Sequence, residues 1–312
     1  MSAEVTYRPA TGADVPSLYA VWAESFEAPH VIDLWAGDPG RLPRTFVAVE
    51  AATVVAAVYY LPRRLRDATG AADLVGGLAN VATLPRARGR GHVRRLLDLA
   101  LAAMTADGCA WSLLFTGTPG VYRGSGFHTF TLRYRSGRPA PRTAPPAGWT
   151  VDAGSPADWS GLAPIHHAFN AHRPLSTVRD ADDWARRVPV WYAPPAELLL
   201  ARRHGHVDGY LVLRHTGDEV RVAEAAVLPG RQEALRALFT AVADRARAAG
   251  ARRVAARLPA DPAIDAALPW LLHDPVTEID DTGMLRPVHA SPDHLAAMTA
   301  APGAFHWPGD YL

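Results

Sequence analysis

A chain of 312 residues with a formal charge of +1 and one cysteine has room for two ordinary domains, but cannot build an internal disulfide framework or a cysteine zinc site. Hydrophobic residues make up 49% and charged residues 20%, which excludes a wholly disordered chain, and the even charge balance excludes an overall basic field for nucleic acid. Neither a membrane-length apolar run nor a signal-peptide layout is present, so a cytoplasmic protein without membrane or nucleic-acid partners is expected.

From the N-terminus, an extended segment leads to Thr11-x-x-Asp14 and an amphipathic helix carrying Leu18, Val21, Trp22 and Phe26. A hydroxyl and an acid at that spacing satisfy the free amides and positive end of a helix start. Runs rich in Val, Ala, Leu and Tyr follow as strands at Thr45–Val49, Val54–Tyr60 and Leu74–Thr83. A helix then runs to Gly108, and another strand to Trp111–Thr116. The stretch 137–148, GRPAPRTAPPAG, reads as a stiff, exposed linker.

Beyond it the pattern repeats. Ser155-x-x-Asp158 precedes Trp159, Leu162, Ile165, His166 and Phe169; strands follow at Glu197–Arg202, Gly209–Arg214 and Glu219–Val227; a helix runs to Gly250, and a strand spans Arg253–Arg257. A Leu-Pro pair ends the third strand of each half, Leu84-Pro85 and Leu228-Pro229. The repetition predicts an α/β chain of two tandem domains, each a mixed, mostly antiparallel sheet flanked by helices. The division expected is 1–136 for the first domain, 137–148 for the linker, 149–288 for the second copy and 289–312 for a tail.

The most informative stretch is Asn80 to Leu97, NVATLPRARGRGHVRRLL. A strand, an Arg-Gly loop and a helix in that order suit anion capture. Gly89 and Gly91 let backbone amides approach a pyrophosphate, the helix directs its positive end there, and Arg88 and Arg90 add charged donors. The second half reads PGRQEALRALF at the corresponding place and lacks the loop, so only the first copy is expected to bind.

On these residues the first half resembles the GNAT (Gcn5-related) N-acetyltransferases, whose signature is Gln/Arg-x-x-Gly-x-Gly/Ala. Two registers fit, Arg86-x-x-Gly89-x-Gly91 and Arg88-x-x-Gly91-x-Val93, and the helix that follows favours the second. Val93 in place of a small residue is similar to the Eis branch, as is Gly120 to Phe127, GVYRGSGF, which also fits the Tyr-x-x-x-Gly-Phe motif of the superfamily. The resemblance covers the residues up to about 135 and extends further only by architecture. After Val288 the sequence is too short for the sterol-carrier-like domain of the Eis branch, so that domain is expected to be missing.

The resemblance implies direct acyl transfer from acetyl-CoA, or another acyl-CoA, to a small-molecule amine such as an antibiotic, an amino sugar or a metabolite, with no metal. It implies a donor site formed by Val81, Ala82, Thr83, Arg88, Gly89, Arg90, Gly91, His92 and Val93, and Tyr122 as the acid that protonates the leaving thiolate. Glu24, Phe26 and Trp35 fall where the family shapes its acceptor pocket. The Eis branch brings its terminal carboxylate to the active site. For the aromatic tail Phe305 to Leu312 two readings stand: the carboxylate of Leu312 or Asp310 faces the acceptor amine, or the tail only packs. Longer acyl chains and a non-catalytic CoA-sensing module are the alternatives. His166, His167 and His172 with Asp180, Asp182 and Asp183 are not read as a metal site, because adjacent histidines cannot share one helix face. Oligomeric state is not legible.

Overall fold

A computed structural model describes residues 4–27 and 30–311. The first half holds β1 (Val5–Pro9), α1 (Val15–Ser25), α2 (His30–Ala36), β2 (Thr45–Glu50), β3 (Thr53–Arg66), β4 (Ala72–Thr83) and α3 (His92–Ala106). It continues through β5 (Trp111–Phe115), α4 (Gly120–Arg123), β6 (His128–Thr129) and β7 (Leu132–Pro139). The second half holds β8 (Thr150–Ala153), α5 (Trp159–Asn170), α6 (Val188–Trp191), β9 (Glu197–Arg203), β10 (His206–Thr216), β11 (Glu219–Val227) and α7 (Gln232–Ala248). It closes with β12 (Arg253–Ala256), α8 (Pro262–Ala267), β13 (Leu272–Asp280), β14 (Gly283–Pro287) and α9 (Pro292–Ala300). Among the described residues no helix is long and apolar enough to cross a membrane.

The two helix starts use the same cap. Asp14 accepts from the Thr11 amide and hydroxyl at 2.7 and 2.9 Å, and Asp158 accepts from the Ser155 amide and hydroxyl at the same distances. Each satisfies donors that a helix start leaves free. The helices then bury their apolar stripes: Leu18, Val21 and Trp22 of α1 and Leu96, Leu97 and Ala100 of α3 are almost inaccessible. Each leucine so buried contributes about 1.5–3 kcal/mol.

Two seven-stranded sheets result, in the orders β1-β2-β3-β4-β5-β14-β6 and β13-β7-β12-β11-β10-β9-β8. Sheet membership does not follow the chain. β7, from the first half, lies between β12 and β13 of the second; β14, from the second half, pairs with β5 and β6 of the first. The stretch expected as a linker therefore begins inside a strand, with Gly137 opposite Val254 and Pro139 opposite Leu272. Local pattern did not show this because the partners lie more than a hundred residues downstream; 141–145 is exposed and without regular structure. A further seam joins the halves: the Arg66 amide donates to Ser176 O and the Leu175 amide to Arg66 O, both at 2.9 Å, extending β3 with the segment after α5.

Candidate active site

β4 and β5 run side by side only from Val75 to Gly77, opposite Trp111 to Leu113. β14 flanks the other edge of β5 along its whole length, Trp111 to Phe115, while β4 continues past the paired stretch to Thr83 against β3. The β5-facing edge of β4 past Leu78 thus has no strand beside it among the described residues. A bulge sharpens the divergence: Ala57 opposes Ala82 and Tyr59 opposes Ala79, so two residues of β4 face one of β3. Asn80 takes the left-handed conformation this requires, with φ 50°; its carbonyl accepts the Trp22 indole N–H at 3.0 Å.

A cavity of about 680 Å³ opens at the splay. Val81, Ala82 and Thr83 line it from β4, Arg88, Gly89, Gly91, His92 and Val93 from the loop and α3, Phe26 from the end of α1, and Tyr122 from α4. Eight of the nine residues expected at the donor site are therefore together. Arg90 is not among them: its guanidinium is paired with both oxygens of Glu50 at 3.0 and 2.7 Å. Glu50 has no local sequence signal, since the contact joins the end of β2 to a loop two strands later.

Gly89 and Gly91 both sit at positive φ, 74° and 77°, and a β-carbon at either would meet nothing within 4 Å. The left-handed turns and bare space together leave the amides at the start of the fifteen-residue helix α3 open to a ligand. The Arg88 Nε donates to Thr83 O at 3.2 Å and ties the loop to the end of β4. The His92 ring is buried, with Nδ1 2.8 Å from the Tyr7 hydroxyl. Burial, then the charge of Arg90, lowers its pKa.

Tyr122 is buried, and burial pushes its phenol up to about 12 against the opposing hydrogen bond from Thr116. A phenol held there remains protonated across the physiological range and can serve as a proton donor. The three acceptor candidates separate. Phe26 lines the cavity, Glu24 is exposed on α1, and Trp35 is a core residue, its indole donating to the Thr45 hydroxyl at 2.8 Å. The size of Trp35 suited either place; its edge-on contact with Trp22 at 4.9 Å puts it in the core.

The tail is docked as far as Tyr311, whose ring stacks on Phe115 at 4.1 Å. Asp310 is almost wholly buried, its Oδ1 accepting from Arg179 Nε at 2.8 Å and lying 4.0 Å from Arg63 Nη2, so its carboxylate is held between arginines of both halves and is not free to act as a base. Leu312 lies outside the described residues.

Residues 6–130 match the family model described as an acetyltransferase (GNAT) domain. Over those residues the chain carries a GNAT acetyltransferase domain. Solved structures repeat the arrangement around it. A GCN5-related N-acetyltransferase of Kribbella flavida is 22% identical with a TM-score of 0.73, over 92% of this chain and 72% of that one. One from Anabaena variabilis is 17% identical at 0.72, over 91% and 73%, and Eis1 of Mycobacterium abscessus is 20% identical at 0.64, over 91% and 74%. At such identities the likeness speaks for the fold, and it takes in both sheets. No curated protein matches the sequence. The GNAT domain and its strand-exchanged second copy thus form the tandem architecture read from the sequence. At the second copy's corresponding loop, α7 starts at Gln232 after the short turn Pro229 to Arg231, with no paired glycines.

Proposed function

We propose that this chain is an acyl-CoA-dependent N-acyltransferase, with acetyl-CoA as donor, that acylates the primary amine of a small molecule by direct transfer. The supporting observation is the convergence, on one cavity, of an unpaired strand edge, bare helix-start amides and a buried phenol. Acyl-CoA supplies an activated thioester and a pyrophosphate handle. The cradle fits that handle: Gly89 and Gly91 leave the space open, and the amides of α3 carry roughly half a unit of positive charge.

Each group of the chain then has a task. The free edge of β4 at Val81 and Thr83 offers main-chain donors and acceptors to an extended amide-bearing arm, as an added strand would. A backbone amide at Ala82 or Thr83 polarises the carbonyl under attack. Tyr122 gives its proton to the departing sulfur. Holding both reactants in line supplies much of the acceleration. The second copy supports the first and walls the acceptor side.

The direct test is thiol release across acetyl-, butyryl- and longer acyl-CoAs with a panel of primary amines. Gly91→Glu should abolish acyl-CoA binding, because a carboxylate and its bulk enter the phosphate cradle. Undiminished CoA binding by that variant, measured calorimetrically, would overturn the assignment of the donor site.

A further inference from the structure

We propose that the diphosphate of the acyl donor, on seating at the start of α3, draws a proton onto the buried His92 ring, so that donor affinity rises as pH falls. The proposal rests on the donor-site reading of the cavity and adds a side chain to its glycines and main-chain amides.

His92 is the first residue of α3 and lines the cavity, yet only 3% of its surface is accessible. Its two ring nitrogens differ. Nδ1 lies 2.8 Å from the Tyr7 hydroxyl of β1, with the two rings tilted at 40°. Nε2 is buried and has no hydrogen-bonding partner among the described residues. A buried nitrogen left in that state is costly, and a phosphate oxygen is the acceptor it lacks. Gly89 and Gly91 bare the amides of this same helix start, so an anion drawn to them arrives beside the ring. Protonated, the ring donates from both nitrogens, Nδ1 to Tyr7 and Nε2 to the anion, and a donor that carries charge makes the stronger bond.

The charged neighbours set the sign of the response. Arg90 of the loop and Arg95 of α3 oppose a charge on the ring; Glu50, at the end of β2, favours it but is already gripped by Arg90 through both oxygens. Arg95 lies over the Tyr7 ring at 5.0 Å, and Arg88 and Arg94 line the same cavity. From α4 come Tyr122, held neutral, and Arg123. β3 and β4 also pack on α3, and their stretches 53–58 and 78–83 carry no ionisable side chain. Burial first, then Arg90, holds the free ring below its ordinary value, and the positive end of the α3 dipole acts in the same direction. A diphosphate brings negative charge into a group of cations whose nearby acid is already paired. It reverses the field at His92, so the complex accepts a proton that the free protein refuses. Linkage then fixes the direction: a complex holding more protons than its separate parts gains as pH falls, and that gain is lost as pH rises through the ring's bound value.

The experiment titrates the protein calorimetrically with dephospho-CoA between about pH 5.5 and pH 8, at each pH in two buffers of different ionisation heat. Dephospho-CoA is the probe because its diphosphate stays ionised throughout, whereas the 3′-phosphate of CoA has a second pKa of about 6 and would take up protons itself. The difference in observed heat should report an uptake that peaks at about half to one proton, and affinity should fall about tenfold across the range. His92→Gln should lose the uptake and the pH dependence together. In the parent protein, the NMR signal of the His92 ring, identified by its absence from that variant, should titrate about one pH unit or more higher with dephospho-CoA bound than without. Equal heats in the two buffers, an uptake that survives His92→Gln, or a ring that titrates at the same pH in both states overturns the proposal while leaving the donor site in place. Failure of both dephospho-CoA and acetyl-CoA to bind overturns the donor-site reading with it.

Discussion

Tyr122 and Asp14 show how a single group's surroundings fix its use. With its phenol at about 12, Tyr122 does not ionise in the working range, so the pH profile of kcat should show no loss from this group up to about pH 10. Tyr122→Phe should bind CoA normally and turn over about a hundredfold more slowly; full activity would remove it from the chemistry. Asp14 is held at about 2, first by the Arg8 side chain at 2.7 and 2.9 Å and further by the Thr11 amide and hydroxyl, with burial opposing. A carboxyl depressed on folding stabilises the fold above its ordinary value of about 3.9 and loses that contribution as pH falls toward the folded value. Asp14→Asn should therefore lower Tm at pH 7, and the gap from the parent protein should close between about pH 4 and pH 2. At this scale Gly89, Gly91 and Tyr122 were legible because each requirement is local: a left-handed turn, a helix start, a phenol at motif spacing. Arg90 was not, since its commitment to Glu50 depends on how β2 comes to lie beside the loop.

Among the elements, β4 has two partners for part of its length and one for the rest, and the bulge at Asn80 lies where the second is lost. Asn80→Gly should be tolerated, whereas Asn80→Val should cost about 1–2 kcal/mol in denaturant unfolding, because a β-branched side chain resists φ 50°. The strand itself was readable from its Val, Ala and Leu content; the bulge was not, because asparagine marks turns and caps as often as bulges. The buried charges around Arg179 differ in kind. Burial works against the Asp310 anion, yet the Arg179 charge and hydrogen bond outweigh it and hold the carboxyl below the usual range. Arg179→Met should destabilise the protein by about 3–5 kcal/mol, since it leaves Glu224 buried without a counter-charge and Asp310 with only Arg63, at 4.0 Å. Arg179, Glu224 and Asp310 are scattered along the chain, so no periodicity marks their meeting.

For the whole molecule, the repeated caps and Leu-Pro pairs revealed two copies of one plan, and the two seven-stranded sheets agree with that plan. What they could not reveal is that the copies trade strands, because β7 and β14 fit equally well, by composition, into the sheet nearest in sequence. Exchange makes the halves mutually dependent. A protease cut within the exposed 141–145 segment should leave two fragments that co-elute on gel filtration and separate only in denaturant. Fragments that part under native conditions would contradict the exchanged pairing.

The same exchange sets a schedule for the ribosome. β5 emerges early, but the neighbour that covers its outer side, Gly283–Pro287, is translated well over a hundred residues later. At roughly 5–20 residues per second the nascent first sheet waits about 10–30 s with an unsatisfied hydrogen-bonding edge, a template for joining another unfinished chain. Slow codons between the two strands would prolong that hazard, and chaperone demand during synthesis should exceed that of an acetyltransferase whose sheet closes on itself.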